Sequence, residues 1–247
     1  MKIEKLWTAP TLRLIVIAAT SVGGFVSATS YGQTAKSVVP LSAEANHHLR
    51  FENGKVRVYE LTLPKGKSSL PHEHSADNFT VFLSSSEANN EPINDPNDAL
   101  PASFPTRPGW VAFSSVASGP YAHRVECTGD TPFRAIGIEL LSAPAATAGV
   151  APIERPRPPF NVALKNTRGR AYRVGLDPGE STGIFTRPAN TAIIAISSGQ
   201  ISEQIEGKAP TQLKFDLGNF RWSETPETLS LKNEGSSRVE LAEVEIY

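Results

Sequence analysis

The chain has 247 residues, of which 39% are hydrophobic and 20% are charged, and its formal net charge is −1. This composition is typical of a globular protein long enough for one large domain or two small ones, and the lack of a basic cluster argues against nucleic acid as a partner. Cys127 is the only cysteine, so an intrachain disulfide is excluded and a packed core must stabilise the fold.

The N-terminus has the pattern of an export signal. A basic start is followed by the apolar run Leu14–Val26, which is short for a membrane span. Small residues follow, and Ala28 and Ser30 are placed for signal-peptidase cleavage near residue 30. We therefore predict a signal peptide over residues 1–30, a periplasmic or secreted location and no stable membrane anchor after cleavage. An uncleaved anchor is the alternative.

From Val56 onward the pattern predicts an all-β protein. The segment Val56–Leu63 alternates in polarity and is rich in β-branched and aromatic residues, as half-buried strands are. No stretch keeps a helical period with caps over three turns. Further strands are predicted at Asn78–Ser85, Gly109–Ser115, Ala122–Thr128 and Phe133–Leu141.

Two segments between strands are rich in turn-forming residues. Glu87–Pro108 contains many Pro, Asn and Asp residues, and we predict a long loop there. Loops of this length are unusual and often functional, and a plain surface insertion is the alternative. Ser142–Phe160 has small residues followed by several prolines, which is typical of a semi-rigid linker.

The second half of the chain repeats the first. A shift of 113 positions pairs identical residues, and an internal duplication predicts two copies of one structural unit. The turn spacing in each copy is typical of a sandwich or barrel of short strands. The matched pairs are Asn53 with Asn166, Arg57 with Arg170, Tyr59 with Tyr172, Leu63 with Leu176 and Gly66 with Gly179.

Two histidines, His72 and His74, lie within the stretch "LPHEHSADNF". In a strand, residues i and i+2 point to the same face, so the two imidazoles would lie side by side, as neighbouring ligands of one metal must. Imidazole binds zinc, copper, iron and nickel. Solvated histidines at a strand end are the alternative.

The surroundings of these histidines resemble the motifs of the cupin superfamily. The first cupin motif has a glycine, five positions, His-X-His and a glutamate, and Gly66 precedes His72 by that spacing. The second motif has a third histidine after a glycine, and "SGPYAHRVE" supplies Gly119 and His123. With its duplication the chain looks like a bicupin, and the resemblance covers roughly residues 50–141 and 165–247.

This resemblance implies two tandem cupin-type jelly-roll β-barrels. The N-terminal barrel would span residues 45–142 and the C-terminal barrel residues 162–247, joined by a Pro/Ala-rich linker over residues 143–161. It also implies that His72, His74 and His123 hold one divalent metal ion inside the N-terminal barrel. Three imidazoles fit several metals, here Fe, Mn, Ni, Zn or Cu.

The chain departs from the cupin pattern at the fourth ligand. The family has a glutamate there, and this chain has Asn78, which removes one negative charge from the ligand set. Asn78 can still ligate through its carbonyl oxygen. Asp77 can reach the metal only if the turn after His74 aims it inward, because strict alternation points it away from Asn78.

The second copy lacks these ligands, and the second half contains no histidine. Because a metal needs N, O or S ligands that it can bind in deprotonated form, we predict that the C-terminal barrel has lost the site and is structural. An anion held by Arg187 is the alternative. The replacements are Phe185 for His72, Arg187 for His74, Thr191 for Asn78 and Leu229 for His123.

Other chemistry-bearing residues have structural interpretations. Glu73 faces away from the histidine pair and is predicted at the surface. His47 and His48 precede the first strand and are predicted to be exposed. Cys127 shares strand parity with His123 but is predicted to pack in the core.

Two kinds of function fit these expectations. The first is a metalloenzyme, dioxygenase-, isomerase- or lyase-like, that acts on a small organic molecule in the N-terminal barrel. The second is non-catalytic, either an exported cupin that binds a small ligand or a structural barrel. A homodimer is left open, because exposed barrel edges often pair.

Overall fold

The computed structural model describes residues 37–93, 100–143 and 154–247, and residues 35–247 form one compact unit. The described residues contain strands β1–β19 and one 3-10 helix, Leu41–Ala43, which confirms the all-β prediction. None of their helices is long and apolar enough to cross a membrane. The predicted signal peptide lies outside the described residues.

The N-terminal half folds as two five-stranded sheets. Its strands are β1 (Val39–Pro40), β2 (His47–Glu52), β3 (Val56–Leu63), β4 (His72–His74), β5 (Asp77–Phe82), β6 (Ser86–Ile93), β7 (Ala102–Thr106), β8 (Val111–Ser114), β9 (Tyr121–Cys127) and β10 (Phe133–Leu140). One sheet has the order β1-β4-β9-β6-β7, and the other has the order β2-β3-β10-β5-β8.

The C-terminal half folds as a five-stranded and a four-stranded sheet. Its strands are β11 (Phe160–Lys165), β12 (Gly169–Leu176), β13 (Phe185–Arg187), β14 (Thr191–Ala195), β15 (Gly199–Ile205), β16 (Thr211–Phe215), β17 (Phe220–Ser223), β18 (Glu227–Asn233) and β19 (Val239–Ile246). The sheet orders are β11-β12-β19-β14-β17 and β13-β18-β15-β16.

The two halves have the same topology. Each C-terminal strand has a counterpart at the same place in the N-terminal sheets, and only β1 is extra. The repeated glycines Gly66 and Gly179 both adopt positive φ, 69° and 80°, which L side chains rarely allow. The repeat seen in the sequence is therefore a duplicated jelly-roll barrel.

The two barrels share a hydrophobic core. The sheet that contains β5 and β10 contributes residues such as Phe79 and Ile138, and the sheet that contains β14 and β19 contributes Ile194 and Val244. Each of these central strands faces its own barrel on one side and the other barrel on the opposite side. Most of their residues are therefore buried on both faces, and burial does not strictly alternate along these strands.

The predicted loop over Glu87–Pro108 is wrong. Its described parts form the strands β6 and β7, which pair antiparallel from Ser86 opposite Thr106 to Asn90 opposite Ala102. A sheet with one wet face accepts polar residues, and Pro105 lies on the edge strand β7, where the missing N–H is tolerated. Residues 94–99 lie outside the described residues.

The N-terminal barrel also includes residues before position 45. Strand β1 pairs parallel with β4, with Val39 opposite His72, and the 3-10 helix that follows β1 buries Leu41. This short segment lies beside the first histidine pair. In the linker, residues 144–153 lie outside the described residues.

Candidate metal centre

Strands β4 and β9 bring the three motif histidines together. They pair antiparallel with His72 opposite His123 and His74 opposite Tyr121. Because alternate residues of a strand share a face, all three imidazoles enter the barrel. One ligand atom from each lies within 4.8 Å of the others, so the group can hold a metal ion.

The spacing of the ring nitrogens suits a common ion. The Nε2 atoms of His74 and His123 lie 3.1 Å apart. Two nitrogens bound to one zinc ion at about 2.0–2.1 Å in tetrahedral geometry would lie about 3.3 Å apart. The observed separation is therefore close to that of two ligands on one ion.

In His72 and His123, the other ring nitrogen, Nδ1, is hydrogen-bonded to a neighbouring group. His72 Nδ1 donates to the Leu70 carbonyl at 2.9 Å, and His123 Nδ1 donates to Asn90 Oδ1 at 2.5 Å. These bonds fix the tautomer that leaves Nε2 with a lone pair, as in metal-ligating histidines. His72 Nε2 is buried without a hydrogen-bond partner among the described residues, as expected of an atom that a metal would satisfy.

Burial keeps the three histidines neutral. Burial, together with a smaller effect of the neighbouring histidines, lowers the pKa of His72 to about 4, that of His74 to about 2 and that of His123 to about 3. A metal binds the neutral imidazole. The residues present therefore fit a divalent cation.

Of the two predicted fourth ligands, Asn78 faces the site and Asp77 does not. Asn78 is buried and lines the cavity beside His74. Its Nδ2 donates to Thr80 Oγ1 at 2.8 Å, while its Oδ1 is buried without a partner among the described residues.

The prediction of Asp77 as a ligand is corrected by its contacts. Its carboxylate forms an ion pair with Arg168 of the C-terminal barrel at 2.8 Å and accepts hydrogen bonds from Ser115 and the Val116 N–H. The turn after His74 does not aim it inward, so alternation along β5 points it outside the barrel.

A cavity of about 820 Å³ adjoins the histidines. Its walls are mainly apolar and aromatic, and polar groups such as Asn90 and Ser114 stand among them. The C-terminal barrel contributes Asn161, Val162 and Arg173 to the lining. The aromatic wall residues are Tyr59, Phe82, Phe104, Trp110, Tyr121 and Phe133.

Two buried polar residues of this site were not predicted. His47, expected at the surface, lines the cavity with a side chain that is only 8% exposed, whereas His48 is exposed. Glu139 on β10 has its Oε1 3.9 Å from His74 Nδ1, and burial raises its pKa. A signal for Glu139 was available, because a charge interrupts the apolar strand "FRAIGIELL".

The C-terminal barrel replaces the metal ligands as predicted. Phe185 lies opposite Leu229 in the β13–β18 pair, as His72 lies opposite His123. Arg187 makes ion pairs with Glu243 at 2.8 Å and with Glu203 and Glu227. Its guanidinium is satisfied by carboxylates, so the alternative of an anion site at Arg187 is wrong.

A second guanidinium fills the middle of that barrel. Arg155, which comes from the linker, pairs with Glu243 at 2.5 Å and with Glu245 at 2.8 Å. Its Cζ lies 5.0 Å from each of the ring centroids of Phe160, Tyr172 and Phe185. Protein cations thus occupy the interior of the copy that has no histidines.

No protein-family model matches the chain, and no curated protein matches it in sequence. Solved structures do match its fold. AerE from Microcystis aeruginosa is 10% identical with a TM-score of 0.53, and the match covers 83% of this chain and 98% of that one. A mutant of salicylate 1,2-dioxygenase from Pseudoaminobacter salicylatoxidans is 12% identical with a TM-score of 0.51, covering 78% of this chain and 71% of that one.

An oxalate decarboxylase from Bacillus subtilis, described with Mn(II) centres, is 11% identical with a TM-score of 0.53, and the match covers 81% of this chain and 75% of that one. These likenesses extend over both barrels. The chain therefore has the cupin fold in a duplicated, bicupin arrangement, with a histidine triad that can bind a divalent metal.

Proposed function

We propose that the chain is an exported metal-binding bicupin and a metalloenzyme, dioxygenase-, isomerase- or lyase-like, that acts on a small organic molecule in its N-terminal barrel. The observation that carries this proposal is the convergence of three neutral histidines, two of them buried and His123 partly buried, beside a cavity that His74 and His123 line. The basic and apolar N-terminal sequence supports export.

His72, His74 and His123 would hold the metal. When bound, it would polarise a substrate oxygen or activate a water molecule. The chain positions these ligands from outside, through the Leu70 carbonyl on His72 and the Asn90 side chain on His123.

The cavity supports a substrate with an apolar or aromatic body. Its aromatic walls would exclude water and hold such a body by packing. Tyr121 stacks on the His74 ring with a centroid separation of 4.9 Å, and burial raises the pKa of its hydroxyl. Its hydroxyl would therefore stay protonated at neutral pH and be available to orient a polar group of the substrate.

A second candidate is a non-catalytic cupin that binds a small ligand. The observation in its favour is Asn78, because an amide at this position supplies no charge to the metal. Both candidates require the same cavity, and they differ only in whether the bound molecule is changed.

The metal centre is tested by metal analysis of the purified protein after reconstitution with Fe, Mn, Ni, Zn and Cu. We expect about one divalent ion per chain, and none in a variant with His72→Ala and His74→Ala. His48→Ala, which removes an exposed histidine, is the matched control and should keep the metal. A parent protein that binds less than about 0.1 ion per chain would refute the site.

Catalysis is tested by oxygen uptake and product analysis of the loaded protein with small phenolics, diketones and organic acids. The enzyme proposal expects turnover that disappears with the histidine pair. Binding of a compound without any turnover would favour the second candidate, and turnover that survives loss of all three histidines would contradict the catalytic assignment.

A further inference from the structure

His47 lies beside the motif histidines although it belongs to a different sheet. It starts β2, where it pairs with Leu61 of β3, and its ring centroid lies 4.7 Å from that of His72. The His72 and His123 centroids lie at a similar separation, 4.5 Å. His47 also lines the same cavity as His74 and His123. The barrel interior therefore contains a cluster of four histidines.

Glu44 orients the His47 ring. Its side chain is fully buried, and its Oε2 lies 2.6 Å from His47 Nδ1. Burial alone would raise the pKa of Glu44, but hydrogen bonds from His47, the Leu70 N–H and Asn46 hold that pKa at about 2. The ionised carboxylate keeps the proton on Nδ1, so the His47 Nε2 lone pair remains available toward the cavity.

Three of the four histidines share this pattern of support. Nδ1 is hydrogen-bonded to the Leu70 carbonyl in His72, to Asn90 in His123 and to Glu44 in His47, whereas Glu139 lies 3.9 Å from His74 Nδ1, beyond hydrogen-bond distance. A carboxylate or carbonyl behind the imidazole is the usual arrangement at metal-ligating histidines. His47 thus has the surroundings of a ligand, although no cupin motif includes it.

Glu44 also connects His47 to His72. The Leu70 N–H donates to Glu44 Oε1 at 3.0 Å, and the Leu70 carbonyl accepts from His72 Nδ1. One buried carboxylate therefore contacts the His47 ring directly and the His72 ring through the Leu70 peptide.

We propose that His47 is the fourth metal ligand, positioned by Glu44, in a site where Asn78 supplies no carboxylate. This inference rests on the proposed metal centre. His47 lies outside the group whose ligand atoms are within 4.8 Å of one another, so coordination would require its ring to shift toward the other three. Four imidazoles would leave two positions free on an octahedral ion.

Cobalt(II) is the probe, because its visible spectrum and the shifts of nearby protons report its ligands. The parent protein is titrated with Co(II) against a competing chelator, and His47→Ala is compared with His48→Ala. We expect His47→Ala to weaken binding at least about tenfold and to change the spectrum, and Glu44→Gln to weaken it by about 10–100-fold. His48→Ala should match the parent.

Proton NMR of the cobalt-loaded parent gives a test that needs no variant to fold. Four strongly shifted, exchangeable imidazole N–H signals are expected, and three would overturn the assignment of His47. Equal cobalt affinity and spectra in the His47→Ala and His48→Ala proteins would overturn it as well. A parent protein that binds no cobalt would instead overturn the metal centre itself.

Discussion

Asn78 occupies the position at which a carboxylate would complete the ligand set of a cupin site. Its Oδ1 is buried without a partner among the described residues, and such an atom costs about 1–3 kcal/mol unless something satisfies it. A bound metal, a water molecule or a substrate group would each do so.

Placing a carboxylate at position 78 should strengthen metal binding and lower the stability of the metal-free protein. Asn78→Asp adds a carboxylate of nearly the same size beside three neutral imidazoles, so we expect at least about tenfold tighter metal binding. Without metal, the buried charge should lower the free energy of unfolding by about 1–3 kcal/mol.

Chelator competition and urea denaturation measure the two effects. Asn89→Asp is the matched control. Residue 89 precedes the cavity-lining Asn90 on β6 and points to the opposite face, so this substitution adds the same charge outside the barrel. Equal metal affinities in the two variants would contradict the placement of Asn78 at the metal.

Among the strands, β13, β18 and β19 carry side chains that form ion pairs in the C-terminal barrel, which lacks the metal ligands. Glu243 on β19 is fully buried between Arg155 and Arg187. Burial alone would raise its pKa, but the two guanidinium groups lower that pKa to about 2. Buried ion pairs add stability only when every charge is satisfied, and here each guanidinium contacts two or more carboxylates.

The depressed pKa of Glu243 makes stability depend on pH. The native state holds this carboxylate ionised down to about pH 2, whereas an unfolded glutamate takes up a proton near pH 4.5. The contribution of Glu243 is therefore complete above pH 4.5 and is lost as the pH falls from 4.5 toward 2.

Urea denaturation between pH 3 and pH 7 tests this dependence. We expect Glu243→Gln to lower the free energy of unfolding at pH 7 by about 3–5 kcal/mol, because it leaves two buried guanidinium groups with too few carboxylates. Below pH 4.5, the free energy of unfolding of this variant should decrease less steeply with falling pH than that of the parent. Glu234→Gln, which removes an exposed partner of Lys232, should retain the parent slope. A slope of Glu243→Gln equal to that of the parent would contradict the assignment.

At the scale of the whole molecule, the two barrels pack through the outer faces of their β10- and β19-containing sheets. Polar contacts surround this shared core. Lys55 reaches Asn190 at 2.7 Å, and Asp77 pairs with Arg168 at 2.8 Å. Asp77, which could have reached the metal only if the turn after His74 aimed it inward, thus joins the barrels instead.

Asp77→Asn should lower the stability of the two-barrel structure without changing its metal affinity. The change leaves the buried Arg168 guanidinium without its carboxylate, so we expect the free energy of unfolding to fall by about 1–3 kcal/mol. Metal affinity should stay within about twofold of the parent value, since an outward-facing change leaves the histidines untouched. Asp130→Asn, which removes an exposed partner of Lys65, is the control for stability. Loss of metal from the Asp77→Asn protein would contradict the outward placement of Asp77.

The sequence by itself determined the elements that depend on local pattern. Alternation predicted β3, β9 and β10 closely, and the repeat of Gly66 as Gly179 predicted the duplicated barrel, because a left-handed turn favours the same residue in each copy. The His-X-His spacing predicted that His72 and His74 lie on one face, since alternate residues of a strand share a face, and the resemblance to the cupin motifs implied His123 as the third member.

Only the tertiary structure decided the residues that reach the site from distant parts of the chain. His47 belongs to no motif, and its surroundings depend on contacts of Glu44, just after the 3-10 helix, with His47 and with Leu70, two residues before His72. Sequence patterns also did not predict the side of the barrel on which Asp77 lies or the position of Arg155 inside the second barrel. Such contacts join residues far apart in sequence, and local periodicity carries no information about them.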